Sequence, residues 1–252
     1  MTATFHDLKG ASVFITGGGS GIGAALTEGF VAQGAKVAFV GRSDASAFCD
    51  HIAEKHGVRP LFIQCDITDI DALEAAMDQA ADAHGPLGVL INNAADDMRY
   101  EADKVTPEVW DSQQAVNLKA YFFACRKAAS GMQSGGSIIN FSSITFMLGA
   151  AGMVPYVTAN AGIVGMTRAL AREWGPRNIR VNAIAPGWVF TEKQETKWAT
   201  PESKKAFLEK QCLQSYMQPQ DMVGGALFLA SDTSAMMTGQ TMTIDAGVVT
   251  GG

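Results

Sequence analysis

Two hydroxyls carry the most direct chemical signal in this chain. Ser142 and Ser143 follow an apolar run at 137–141, and Tyr156 follows Pro155 at the start of a helical pattern. A serine and a tyrosine hydroxyl facing one cleft suit proton transfer at a carbinol oxygen, provided that something lowers the phenol from its reference pKa of about 10. A buried tyrosine that merely satisfies its own hydroxyl is the plainer alternative. Asn117 sits in another helical run, AVNLK at 115–119. Its side chain competes with the backbone for hydrogen bonds, so asparagine there points to a bend or a bound water.

A second set of residues suits an anionic ligand. The stretch T-G-G-G-S-G-I-G at 16–23 joins an apolar run to a helical pattern. In such a turn glycines let the backbone approach a phosphate, and the helix start offers free N–H groups. Gly17, Gly21 and Gly23 read G-x-x-x-G-x-G, a departure from the usual G-x-G-x-x-G. Asp66, directly after a third apolar run, could accept from an adenine amino group or simply cap the next helix. N-N-A-A at 92–95 follows a fourth run, where small residues permit a flat ligand to approach and asparagines can tie strand ends together. A plain polar turn is the alternative there.

The elements that must position these residues follow from periodicity. Apolar runs at 11–16, 36–40, 61–65, 87–91, 137–141, 179–184 and 241–244 alternate with helical patterns near 21–33, 44–57, 69–84, 107–132, 156–175 and 219–231. Continuous rather than alternating apolarity marks strands covered on both faces, as in a parallel sheet. The chain therefore predicts an α/β fold: a doubly wound, Rossmann-type parallel sheet with helices on both faces and ligands at the carboxyl ends of its strands. No linker or repeat divides it, so residues 1–252 are expected to form one domain. Two stretches interrupt the alternation, at 94–106 and roughly 187–215. The second holds Trp188, Phe190, Trp198 and Phe207 and reads as a helical flap with an apolar underside, or else as a surface insertion or oligomer contact.

Composition excludes several function classes. A net charge of −6 with no Lys/Arg cluster argues against nucleic-acid or anionic-membrane partners. Cys49, Cys65, Cys125 and Cys212 are widely spaced and the four histidines form no H-x-x-x-H, so neither a disulfide framework nor a metal site is expected. No stretch of about 18 apolar residues occurs, and a cytoplasmic protein is expected.

Taken together these spacings resemble the short-chain dehydrogenase/reductase family over essentially the whole chain. The set is the glycine turn at 16–23, Asp66, N-N-A-A at 92–95, Asn117, Ser143 thirteen residues before Tyr156, and Pro186–Gly187 with Thr191. Residues 92–100, 156–173 and 186–213 further resemble bacterial sugar 1-dehydrogenases acting on pentoses and deoxyhexoses. The resemblance implies a hydride-transferring oxidoreductase in which Tyr156 is the acid/base, Ser143 orients the reacting oxygen and Asn117 anchors a proton-relay water. It implies that Gly17, Ser20, Gly21, Ile22 and Gly23 border the pyrophosphate and ribose, Asp66 and Ile67 the adenine, and Asn92 and Ala94 the riboses. Pro186, Gly187, Val189 and Thr191 would seat the nicotinamide. The family usually forms tetramers, which makes a homotetramer the expected assembly.

One position departs from the family. Four residues after the tyrosine the family places a lysine, and this chain has Asn160. Positions i and i+4 share a helix face, so the missing ammonium would have stood beside the phenol. Neutral asparagine cannot replace that Coulomb attraction for a phenolate, although its amide could hold a ribose hydroxyl. Cofactor binding is therefore expected to survive better than turnover.

Cofactor choice depends on the end of the second apolar run. A carboxylate there would accept from the 2′-hydroxyl of NAD, but the chain has Gly41, Arg42 and Ser43. A guanidinium and a hydroxyl favour a 2′-phosphate, hence NADP, with NAD as the alternative. For the substrate, Thr145, Phe146, Trp188, Gln194 and Trp198 beside Asp96, Asp97 and Arg99 mix polar groups with aromatic faces, as a sugar ring requires. Ser143 and Tyr156 would meet the same substrate. Oxidation of an aldose at C1 to a lactone is the expected reaction. A ketone or hydroxy-steroid reductase, or a non-catalytic nucleotide sensor that lost the chemistry at Asn160, stands as the alternative.

Overall fold

Among the described residues, seven parallel strands form one sheet in the order β3-β2-β1-β4-β5-β6-β7. They are β1 Ser12–Thr16, β2 Lys36–Gly41, β3 Leu61–Gln64, β4 Val89–Asn92, β5 Gly136–Phe141, β6 Ile179–Pro186 and β7 Thr241–Ile244. This computed structural model describes residues 3–133 and 135–250. The helices are α1 Gly21–Ala32, α2 Ser46–His56, α3 Ile70–His84, α4 Pro107–Gln114, α5 Ala120–Gly131, α6 Thr145–Leu148, α7 Val154–Trp174, α8 Glu192–Lys197, α9 Pro201–Leu208 and α10 Val223–Ala230.

The continuous apolar runs become strands for the expected reason. Every residue of β1 and β4 is buried, because helices cover both faces of the sheet. One core contains Leu26, Phe30, Ile52 and Leu227, and the other contains Leu73, Met77, Ala124 and Ile138. The alternation of strand and helix thus produces the doubly wound fold that the pattern predicts.

The strand order reverses between β1 and β4, which lie side by side with Ile15 opposite Ile91. Loops leaving these two strands diverge and open a crevice at their carboxyl ends. The glycine turn after β1 and the 93–100 loop after β4 both border it.

The expected long helix at 107–132 is broken. Between α4 and α5, residues Ala115–Lys119 form a π-helical turn, closed by the Ala120 N–H donating to the Ala115 carbonyl. Asn117 lies at its centre. The asparagine thus marks an irregular turn, at the position where its type suggested a bend or a bound water.

Candidate active site

The turn after β1 is shaped by contacts that only glycine permits. Gly17 has φ +69°, and a Cβ there would stand 3.0 Å from Ala94 Cα. A Cβ on Gly23 would meet the Gly17 carbonyl oxygen at 1.9 Å. Asn93 buttresses the turn from the next strand, its side-chain N–H group donating to the carbonyls of Thr16 at 3.1 Å and Gly17 at 3.2 Å. Thr16 Oγ1 in turn accepts from the main-chain N–H groups of Asn93 and Ala94. Ser20 is the N-cap of α1 and makes no side-chain capping bond, which leaves the first N–H groups of that helix for a ligand.

The end of β5 sets the reaction centre through strand alternation. Ser142 points inward, and its hydroxyl donates to the Asn160 carbonyl at 3.0 Å, fixing α7 against the sheet. Ser143 points outward into a cleft of about 690 Å³, where Tyr156, Asn160, Asn117 and Thr145 also lie. The main-chain N–H of Thr145 donates to Ser143 Oγ at 3.2 Å, which leaves the serine hydrogen free to face the cleft. The hydroxyl of Thr145 is buried without a partner.

Burial pushes the Tyr156 phenol up to about 12, and the nearby charge of Asp97 adds to the effect. Hydrogen bonding to Asn160 and Ser143 acts the other way without cancelling it. Asn160 is 2% exposed and donates its amide to the Tyr156 carbonyl at 2.8 Å. Among the described residues no cation offsets that rise.

Ile22, Pro186, Gly187, Trp188, Val189, Thr191 and Gln194 complete the same cleft. Thr191 caps α8 through Oγ1, and its Cγ2 stands 3.0 Å from where a Gly21 Cβ would be, so the 187–215 segment reaches the glycine turn. Arg42 and Ser43 are exposed at the end of β2. The Arg42 charge helps hold the Asp66 carboxyl below its ordinary range, after the larger effect of the Thr68 backbone N–H. Arg42 and Asp66 thus lie close together past the carboxyl ends of the paired strands β2 and β3.

Three of the side chains singled out in the sequence turn away from the cleft. The Asn92 side chain is fully buried and donates to Asn140 Oδ1 at 2.9 Å, so it faces the core while its neighbour Asn93 lines the cleft. Successive residues of a strand face opposite ways, which sends the first asparagine inward. The Ile67 side chain is 6% exposed and packs in the core with Leu73 and Met77, leaving only its main chain for a ligand. Asp96 turns away as well, accepting from Gln113 Nε2 at 2.7 Å. Asp66 holds the Thr68 N–H and hydroxyl through one oxygen while its other oxygen is free of them, so both readings of that residue coexist.

Both N–H bonds of the Asn117 amide are used, to the Asp96 carbonyl at 2.9 Å and to Gln113 at 3.1 Å, and its oxygen accepts from the Asp96 N–H at 2.8 Å. Asn93 ties the end of β4 to the end of β1, as the N-N-A-A stretch suggests, whereas sequence reasoning missed the partners of Asp97. Asp97 accepts from Lys193 and Gln194, and burial, which would raise its carboxyl, is outweighed so that it stays below its usual range.

A glycine cradle opening on an uncapped helix, at the switch point of a parallel sheet and beside a Ser–Tyr pair, defines a dinucleotide-dependent oxidoreductase site. Residues 17–249 match the family model described as enoyl-(acyl carrier protein) reductase. The chain belongs to the short-chain dehydrogenase/reductase family, whose members bind nicotinamide cofactors. It is 49% identical over 251 residues to a protein named probable galactose dehydrogenase GalD from Rhizobium meliloti strain 1021, covering 98% of each chain. It is 44% identical over 250 residues to D-xylose 1-dehydrogenase of Caulobacter vibrioides strain NA1000 / CB15N, again covering 98% of each. Among solved structures, a blue fluorescent protein from a metagenomic library in complex with NADPH superimposes with a TM-score of 0.90 at 32% identity, covering 97% of this chain and 100% of that one. A short-chain dehydrogenase/reductase from Serratia marcescens BCRC 10948 gives a TM-score of 0.89 at 31% identity, covering 96% and 99%.

Proposed function

We propose that this chain binds NADP and oxidises an aldose at C1 to the lactone. One observation carries the reading: Ser143, Tyr156, Thr145 and Gln194 line a single cleft that the glycine turn borders. The names of the two sugar-oxidising relatives supply the substrate class.

The bound cofactor supplies the hydride acceptor. The turn formed by Gly17, Ser20, Gly21, Ile22 and Gly23 would hold its pyrophosphate and ribose, and Arg42 with Ser43 its 2′-phosphate. Asp66 and the main chain of Ile67 would border the adenine, the main chain of Asn92 and Ala94 the riboses. Pro186, Gly187, Val189 and Thr191 would seat the nicotinamide, and the amide of Asn160 would hold a ribose hydroxyl.

At the substrate, Ser143 donates its free hydrogen to the C1 oxygen and fixes that oxygen beside Tyr156. The phenolate form of Tyr156 takes the C1 hydroxyl proton. Main-chain carbonyls of the π turn at Asn117 hold a water through which the proton leaves. The unpartnered hydroxyl of Thr145, the second N–H of Gln194 and the indole of Trp188 meet the sugar hydroxyls and its C–H face, beneath a flap formed by residues 187–215. Asn160 slows the proton step because the phenol is seldom ionised near neutral pH.

A homotetramer belongs to the same reading, supported by the large apolar side chains of Trp110 and Phe122 exposed on α4 and α5. So does a cytoplasmic location, in keeping with four free cysteines.

The test is a panel of aldoses with NADP or NAD at pH 8 and pH 10, following reduced nicotinamide and lactone for this chain and Asn160→Lys. Oxidation of at least one aldose, faster in the lysine variant, is expected. NADP binding without aldose turnover in either protein overturns the reading and favours a nucleotide sensor, the alternative that Asn160 supports.

A further inference from the structure

Two loops that border the cleft from different strands are fastened to each other. Asp97, in the loop after β4, accepts from Lys193 Nζ on one oxygen and from Gln194 Nε2 on the other, both in α8. Gln194 also accepts from the Trp188 indole N–H at 2.8 Å. The Arg99 guanidinium lies 4.5 Å from the centre of the Trp198 ring, a second link between the same segments. The strands that carry these loops are not neighbours, because β5 runs between β4 and β6. Contacts between the loops therefore exist only while the 187–215 segment lies down towards the 93–100 loop.

We propose that Asp97, Lys193 and Gln194 form a latch that holds this segment over the cleft, making Asp97 a positioning residue for substrate binding. The link to substrate rests on the reading of the cleft as the reaction site; the latch itself does not. The Asp97 side chain is 18% exposed and that of Lys193 is 41% exposed, so the pair is partly shielded from water and stronger than a free surface pair. It is still open enough for salt to weaken it. The aromatic underside of the segment, where Trp188 packs on Phe190 and Phe207, gives the latch a rigid body to hold.

Asp97 also reaches Tyr156 through its charge. The charged groups around that phenol are Asp96 and Asp97 from the loop after β4, with Arg99 and Lys210 also on the cleft wall; Tyr121 of α5, Ser143 and Asn160 are its neutral neighbours. Replacing Asp97 and replacing Lys193 therefore open the same latch but move the phenol in opposite directions. Asp97→Asn removes a negative charge and lowers the pH at which activity rises, whereas Lys193→Met exposes the full charge of Asp97 and raises it.

Hydrogen exchange of the α8 amides in the full chain, for Asp97→Asn, Lys193→Met and the double variant, tests the latch without any turnover. Each single change is expected to speed exchange about tenfold, and the double change to add little, as two partners of one contact should. In an Asn160→Lys background both singles should raise KM for the aldose about tenfold with kcat within about threefold, and shift the pH profile oppositely. Unchanged α8 exchange, or additive effects, overturns the latch. A KM that responds to Asp97→Asn and not to Lys193→Met reduces Asp97 to a support of its own loop and overturns it too. Coupled exchange with no aldose turnover in the Asn160→Lys parent sinks the proposed function and leaves the latch standing.

Discussion

The side chain of Asn160 bonds to the main chain of Tyr156, its amide donating to the carbonyl one helical turn earlier at 2.8 Å. A polar side chain folded back on its own helix satisfies itself locally. It offers no charge to the phenol beside it, and burial pushes that phenol up to about 12.

A rate that depends on phenolate then rises about tenfold per pH unit while the pH lies below that pKa. This chain should accordingly show log kcat/KM climbing through pH 8–10 with no plateau. Asn160→Lys places a cation at the same helix face, and an opposite charge this close lowers a pKa by about one to three units. Activity at pH 8 should increase by about ten- to a thousandfold, and a shift at the large end of that span brings a plateau into the measured range. Equal rates and equal profiles in the two proteins would remove Asn160 from the account of catalysis.

Cofactor choice is tested at Arg42. A charge-assisted hydrogen bond contributes about 1.5–3 kcal/mol, so Arg42→Ala should weaken NADP by about ten- to 150-fold and leave NAD within about twofold. Titration calorimetry with both nucleotides measures the difference. Tighter binding of NAD than of NADP by the unaltered chain would reject the assignment.

The fold was legible in the sequence because strands buried on both faces are apolar throughout, as β1 and β4 illustrate. Ser143, Tyr156 and the glycine turn were legible because each sits next to an element boundary that periodicity locates. What stayed hidden depends on which way a side chain turns. Asn92 and Asn93 are identical in the sequence, and one residue of register sends one into the core and the other to the glycine turn. The partners of Asp97 lie about a hundred residues further along the chain, and no local pattern announces them.

That register difference makes its own prediction. Asn92 donates to Asn140 and approaches Cys125 and the Tyr121 carbonyl, all in the core. Asn92→Ala strands buried acceptors and should cost about 1–3 kcal/mol of stability, with little change in cofactor affinity. Asn93→Ala removes the props under Gly17 and should do the reverse, weakening NADP with a smaller loss of stability. Denaturant melts paired with cofactor titrations separate the two, and matching profiles would mean that the two asparagines are not divided between core and site.

Asn117 distinguishes a side-chain role from a main-chain one. Its amide grips both polar groups of the Asp96 main chain, so Asn117→Ala should free the 93–100 loop and speed its amide exchange even without ligand. The π turn is a costly local geometry, and the two bonds from Asn117 to the main chain of the loop hold the residue in that geometry. Once they are gone, residues 115–119 can relax to ordinary helical bonding and withdraw the carbonyls that would hold a relay water. The variant should therefore lose kcat as well as loop order, while Gln113→Ala, which removes the bond to the Asp96 carboxylate but leaves the two bonds from Asn117 to the Asp96 main chain, loses less of either. Loop exchange unchanged in Asn117→Ala would show that the amide grip is dispensable, and the loss of rate would then need another cause.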